Sequence, residues 1–196
     1  MLHICKKIGL VSLFGVSLLG LQGCITTAVV GTAAVATKVA TDPRSAGRQL
    51  DDETLEEKVA YHLNKDAQLQ EEARINVVAY NGKILMVGQT PNDSAKETAK
   101  SIAAGVEGVS EIYNEIRTGE KIGVSQIAQD SWITTKVKSQ LLLDAEVKTT
   151  EVKVITENGE VFLMGNLSET QANAAAEVAR NVSGVSKVVK VITYAR

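Results

Sequence analysis

A chain of 196 residues has room for one ordinary domain or two small ones, and a composition 44% hydrophobic and 22% charged excludes a disordered chain and a multi-pass membrane protein. With 21 basic against 23 acidic residues the net charge is −2, so no global field draws the molecule to nucleic acid. Its class has to come from local pattern.

The first element is a leader. Lys6 and Lys7 precede an apolar run over residues 8–21, which ends in "LQGC" at 21–24. Charge, apolar core and small-residue cleavage site, in that order, predict a secretory signal peptide over residues 1–23. The run is shorter than the roughly 20 residues a spanning helix needs. "LQGC" resembles the bacterial lipobox, which implies cleavage before Cys24, a diacylglycerol on its thiol and fatty acylation (palmitate) of the new amine. Several chains on one residue meet the condition for stable anchoring. Cys5 lies in the leader, so Cys24 is the only cysteine expected after cleavage and no internal disulfide can form. Resemblance to other bacterial lipoproteins, with Ile25 instead of Asp after the cysteine, implies the periplasmic face of the outer membrane. Residues 24–50, rich in Ala, Thr and Val, read as a lipidated tether that spans roughly 28 Å if unfolded.

Beyond Leu50 the chain repeats itself. "VVAYNGKILMVGQ" at 77–89 answers "VITENGEVFLMGN" at 154–166, and "VEGVSEIYNEI" at 106–116 answers "VSGVSKVVKVI" at 182–192. Self-similarity at nearly the same offset, 77 residues for the first pair and 76 for the second, is the mark of one structural unit occurring twice. Leu55, Val59 and Leu63, like Ile133, Val137 and Leu141, recur every four residues and predict one apolar helix face per copy. Asn81-Gly82 and Asn158-Gly159 between β-rich runs predict type I′ hairpins. Ser168 with Gln171 forms a capping box opening an Ala-rich helix, for which Asn92 is the counterpart cap. Gly108-Val109 and Gly184-Val185 then turn the chain into a last strand. The order is α-β-β-α-β twice. This predicts an α+β protein of two tandem units, 51–118 and 130–196, joined by a linker over 119–129. Each unit is expected to be a three-stranded mixed sheet with two helices on one face.

The ordered set of "NGKILMVG", "NGEVFLMG", "GVSEIYNEI" and "GVSKVVKVI" resembles the BON domain, over both units. Behind a lipobox, the pair is similar to the dual-BON outer-membrane lipoproteins linked to cell division and envelope stress. The resemblance implies a membrane- or envelope-binding module with anionic phospholipid bound through the second unit. It also implies the β-barrel assembly machinery as a protein partner and enrichment at the division site.

Catalysis has no candidate residues. His62 is the only histidine after the leader, which leaves no Cys/His pair and no metal spacing. Glu56-Glu57 and Glu71-Glu72 read as solvated faces, and no glycine run fits a phosphate loop. Gly82, Gly88, Gly159 and Gly165 are assigned to turns and strand ends. No enzyme, cofactor or metal is expected.

The two copies act as controls for each other. In a helix expected over 130–144, Trp132, Leu142 and Leu143 lie outside the core stripe, where the first copy has Thr54, Asn64 and Lys65. Lys136 and Lys138 flank them, the pattern of an interfacial membrane helix. Residues 51–118 hold 13 acidic and seven basic residues, whereas 124–196 hold eight of each, so the second unit is the one an anionic leaflet tolerates. Trp132, Leu142 and Leu143 are expected to insert, with Lys136 and Lys138 on headgroup phosphates of phosphatidylglycerol or cardiolipin. Packing of Trp132 between the two units, in an adaptor for a protein partner, stays open at this point, as does contact with an envelope polymer. The exposure of Trp132 decides between them.

Overall fold

In the computed structural model, residues 44–194 are described. The expected leader, Cys24 and most of the expected tether lie outside them.

The first unit opens with α1 (Ala46–Leu63), which begins five residues before the expected boundary because Ser45 caps it by accepting from Arg48 N. Its buried side chains are Gln49, Asp52, Leu55, Val59 and Leu63, the predicted stripe extended by one turn. A six-residue helix, α2 (Ala67–Glu72), follows, capped by Asp66 and burying Leu69. The hairpin is β1 (Arg74–Tyr80) and β2 (Lys83–Thr90), antiparallel, with φ of 52° at Asn81 and 78° at Gly82, as a type I′ turn requires. Helix α3 (Asp93–Ala104), capped by Asn92, crosses over to β3 (Glu111–Asn114). After a break, β4 (Arg117–Thr118) resumes beside β2, and both pair with it in parallel.

The second unit repeats the plan. Helix α4 (Val124–Leu143) leads through a 3₁₀ turn (Thr149–Glu151) to the hairpin of β5 (Val152–Glu157) and β6 (Glu160–Leu167). Helix α5 (Glu169–Arg180) carries the predicted Ser168/Gln171 capping box, and β7 (Lys187–Tyr194) pairs with β6 in parallel. Strand order is β1-β2-β3 and β5-β6-β7. The expected linker is shorter: only residues 119–123 separate β4 from α4, which starts six residues before Asp130. Lys121 and Ile122 are held by Glu71 O and the Gln89 side chain, at 2.7 and 3.2 Å.

The helices cover one face of each sheet. Val59, Ile84, Met86 and Ala99 belong to the first of these cores, and Val137, Val161, Leu163 and Ala175 to the second. The opposite faces meet. Val78, Tyr80, Leu85 and Val87 pack with Phe162, Met164 and Val191 in a third core between the sheets. Because β2 and β6 are covered on both sides, they read as unbroken apolar runs, "ILMV" and "VFLM". Polar contacts close the rim. Glu157 accepts from Arg74 and from Gln89 Nε2, Lys153 Nζ reaches Glu56 Oε1 at 2.8 Å, and Arg117 grips both oxygens of Glu160 at 3.0 and 2.7 Å. Glu56 is therefore a tie between the units, not the solvated carboxylate expected, since it also accepts from Ala79 N.

Two glycines stand where backbones nearly touch. A Cβ on Gly88 would lie 1.9 Å from Arg74 O, and one on Gly165 would lie 2.2 Å from Glu151 O. Neither β2 nor β6 could keep its register with a side chain there.

Candidate functional site

The site is built on α4, and its placement begins with a buried carboxylate. Asp130 accepts from Asn158 N at 2.7 Å and Gly159 N at 2.9 Å, which clamps the helix to its own hairpin turn. Asp52 does the same in the first unit, accepting from Asn81 N and Gly82 N at 2.8 Å. The "GVS" segment completes each clamp, as Ser110 N and Ser186 N donate to Gly82 O and Gly159 O. These aspartates went unremarked in the repeat comparison, although both stand one helical turn before the apolar stripe.

With Ile133, Val137 and Leu141 buried, the remaining side of α4 faces solvent. Trp132 is 63% exposed, Leu142 71% and Leu143 81%, and Val124 at 83% extends the apolar surface into the segment expected to be linker. At 100° per residue, an arc of about 120° holds these four with Ala128, Ser125, Ser131, Thr135 and Ser139, and no charge. All nine are exposed. Two of the hydroxyls turn inward: Ser131 Oγ donates to Ile127 O and Thr135 Oγ1 to Ser131 O, both at 3.0 Å. Backbone satisfaction of this kind lowers the cost of taking the face out of water.

Trp132 is not covered by the first unit, because the units join through their sheets. The alternative left open above, that it is buried between them, is overturned. The two lysines also differ. Lys138 is exposed, whereas Lys136 is half-buried and donates through Nζ to Ser183 O, which fastens α4 to the turn after α5. Beside it an open groove of about 520 Å³ runs between the two helices.

Elsewhere, charge serves the frame. Hydrogen bonds from Arg117 hold the Glu160 carboxyl below the ordinary carboxylate range, and the same contacts keep Arg117 more firmly protonated. Burial pushes the Tyr113 phenol up, and the hydrogen bond from Lys83 brings Glu111 down. His62 is exposed and packs edge-on against Tyr61. Among the described residues no cluster of His, Cys, Asp or Glu could hold a metal ion, and no helix is long and apolar enough to cross a membrane.

Comparison with known proteins agrees with the duplicated architecture. The chain is 75% identical over 153 residues to the 21 kDa hemolysin of Actinobacillus pleuropneumoniae, covering 78% of this chain and 79% of that protein. It is 58% identical over 174 residues to the outer membrane lipoprotein DolP of Haemophilus influenzae, covering 89% and 90%. Among solved structures, CdsD, a structural protein of the type III secretion system of Chlamydia trachomatis, overlaps 70% of this chain and 92% of its own at a TM-score of 0.31 and 11% identity. The BON domain pattern matches residues 51–120 and 129–196, the two units described above. With both halves of the described fold matched, the chain belongs to the BON domain family.

Proposed function

We propose that the protein is a non-enzymatic lipoprotein, anchored through Cys24 in the outer membrane and facing the periplasm, that binds anionic phospholipid through α4 of its second BON domain. The observation that carries this is the exposure of Trp132, Leu142 and Leu143 on an uncharged helix face where the first copy has Thr54, Asn64 and Lys65. Each such side chain contributes roughly 1.5–3 kcal/mol when moved fully out of water. Each lysine near an anionic surface adds about 1 kcal/mol. Trp132 belongs at headgroup level, Leu142 and Leu143 below it, and Lys138 beside the phosphates. Likeness to an outer membrane lipoprotein over most of both chains supports the address.

Sedimentation with phosphatidylglycerol or cardiolipin vesicles tests this. Trp132→Glu is expected to weaken binding at least about tenfold with the circular dichroism spectrum unchanged. Unaltered binding would sink the reading. The competing occupant of the same face is a protein, the β-barrel assembly machinery that the family resemblance implies. Capture of that assembly by the Trp132→Glu chain, together with its loss on changes to α1, would favour a separate adaptor surface.

A further inference from the structure

Asn81-Gly82 and Asn158-Gly159 are the only Asn-Gly pairs in the chain. The pair suits a type I′ turn because both residues take positive φ there. It is also the dipeptide most prone to lose the asparagine amide, since glycine has no side chain to shield its nitrogen. Both asparagines are exposed, so water reaches their side chains.

The reaction has a definite geometry. The glycine nitrogen attacks Cγ of the asparagine before it, an N–Cγ bond forms, the Cγ–Nδ2 bond breaks, and ammonia leaves with Nδ2 and the glycine proton. Water then opens the succinimide at either carbonyl, which gives aspartate or isoaspartate. To begin, the nitrogen has to shed its proton, and the peptide has to turn about the asparagine Cα–C bond until that nitrogen faces Cγ.

In both copies a carboxylate stands against each requirement. Gly159 N donates to Asp130 Oδ1 at 2.9 Å and Asn158 N to Oδ2 at 2.7 Å, while Gly82 N and Asn81 N donate to the two oxygens of Asp52 at 2.8 Å. The two nitrogens held are those whose relative rotation defines ψ of the asparagine. One carboxylate therefore fixes that torsion, with φ at 50° in Asn158 and 52° in Asn81. A negative charge beside the nitrogen also opposes the amide anion that attack requires. Ser186 N on Gly159 O at 2.9 Å and Ser110 N on Gly82 O at 2.8 Å hold the far side of each glycine. Asp130 and Asp52 are 4% and 2% exposed, so water competes poorly for these bonds.

We infer that Asn81 and Asn158 are latent deamidation sites, kept unreactive by Asp52 and Asp130. The aspartate and the Asn-Gly pair thus belong together in each copy: the turn needs two residues at positive φ, and the carboxylate that fastens it suppresses the chemistry those residues invite. Isoaspartate at position 158 would add a methylene to the main chain of the turn and set a second carboxylate near Asp130, which would free α4 from its hairpin.

Peptide mass spectrometry of the protein, both units intact, after incubation in mildly alkaline buffer tests this, with isoaspartate scored by isoaspartyl methyltransferase labelling. Asp130→Ala is expected to speed deamidation of Asn158 at least about tenfold and leave Asn81 unchanged, and Asp52→Ala to do the reverse. Each asparagine is the control for the other, because general unfolding would speed both. Asp130→Asn, which keeps the shape and one acceptor, should give the same selective rise if the alanine variant unfolds. With the circular dichroism spectrum native, an equal rise at both asparagines or no rise at either overturns the inference. So does a wild-type rate at Asn158 equal to that of the urea-unfolded chain.

Discussion

Asp52 and Asp130 each accept two backbone N–H groups of a turn whose residues have positive φ, and each is all but buried. Removing the carboxylate leaves those donors without partners in a place water reaches poorly, at a cost of about 3 kcal/mol. Asp130→Ala should lower stability by that amount in urea unfolding monitored by circular dichroism, and Asp52→Ala should do the same in its own unit. An effect within error of wild type would mean that the turn holds its shape unaided. Arg44 makes the first clamp richer than the second: it pairs with Asp52 and lies 4.5 Å over the Tyr80 ring, whereas Asp130 takes Gln126 Nε2 at 2.9 Å. The described fold thus begins at a fixed point, Arg44.

At the scale of elements, α4 is the informative one. Its first two turns carry Val124 and Ala128 on the same uncharged arc as Trp132, so the uncharged exposed face is about 30 Å long. Val124→Glu should weaken vesicle binding about tenfold without changing stability, since the side chain is exposed. Gly88→Ala and Gly165→Ala test the strands: the added Cβ meets the carbonyl oxygen of Arg74 in β1 or of Glu151 just before β5, and a loss of about 3 kcal/mol or failure to fold is expected. Local chemistry made most elements legible. Asn-Gly turns, caps at Asn92 and Ser168, and leucine and valine spacing are signals of a few residues each. Helix α2 escaped because six residues are too few for periodicity to register. The start of α4 escaped because Gly123 offers no side-chain cap, and "GVSQIAQ" looks like linker until the helix behind it is seen. The joint between the units was written in "ILMV" and "VFLM", whose lack of alternation signals strands covered on both faces. Trp132 drew the question of inter-unit packing to the wrong surface.

For the molecule as a whole, the two halves stand or fall together through that inner core. Phe162 is fully buried there, and Phe162→Ala should cost about 3–5 kcal/mol by urea unfolding, a loss carried by the joint and not by the helical cores. Acid should loosen the rim. The Glu160 carboxyl titrates below its ordinary value in the folded protein, so the stability it lends is fully present above about pH 4.3 and is lost as pH falls through the lowered value. The contribution is below about 1 kcal/mol because the pair is partly open to water. Glu160→Gln should therefore be less stable than wild type near neutrality and converge on it in acid, in unfolding curves taken across that range.

The sheet-to-sheet joint also governs how truncations of this protein behave. A fragment ending before Gly119 would bare Val78, Tyr80, Leu85 and Val87 on a flat strand surface, and a fragment beginning at Val124 would bare Phe162, Met164 and Val191. Such surfaces recruit copies of themselves or stray chains. An isolated half would acquire stickiness that the intact chain does not have, so a partner captured by one half reports on the broken seam. Substitutions on the intact pair, with the seam closed, are the way to assign its contacts.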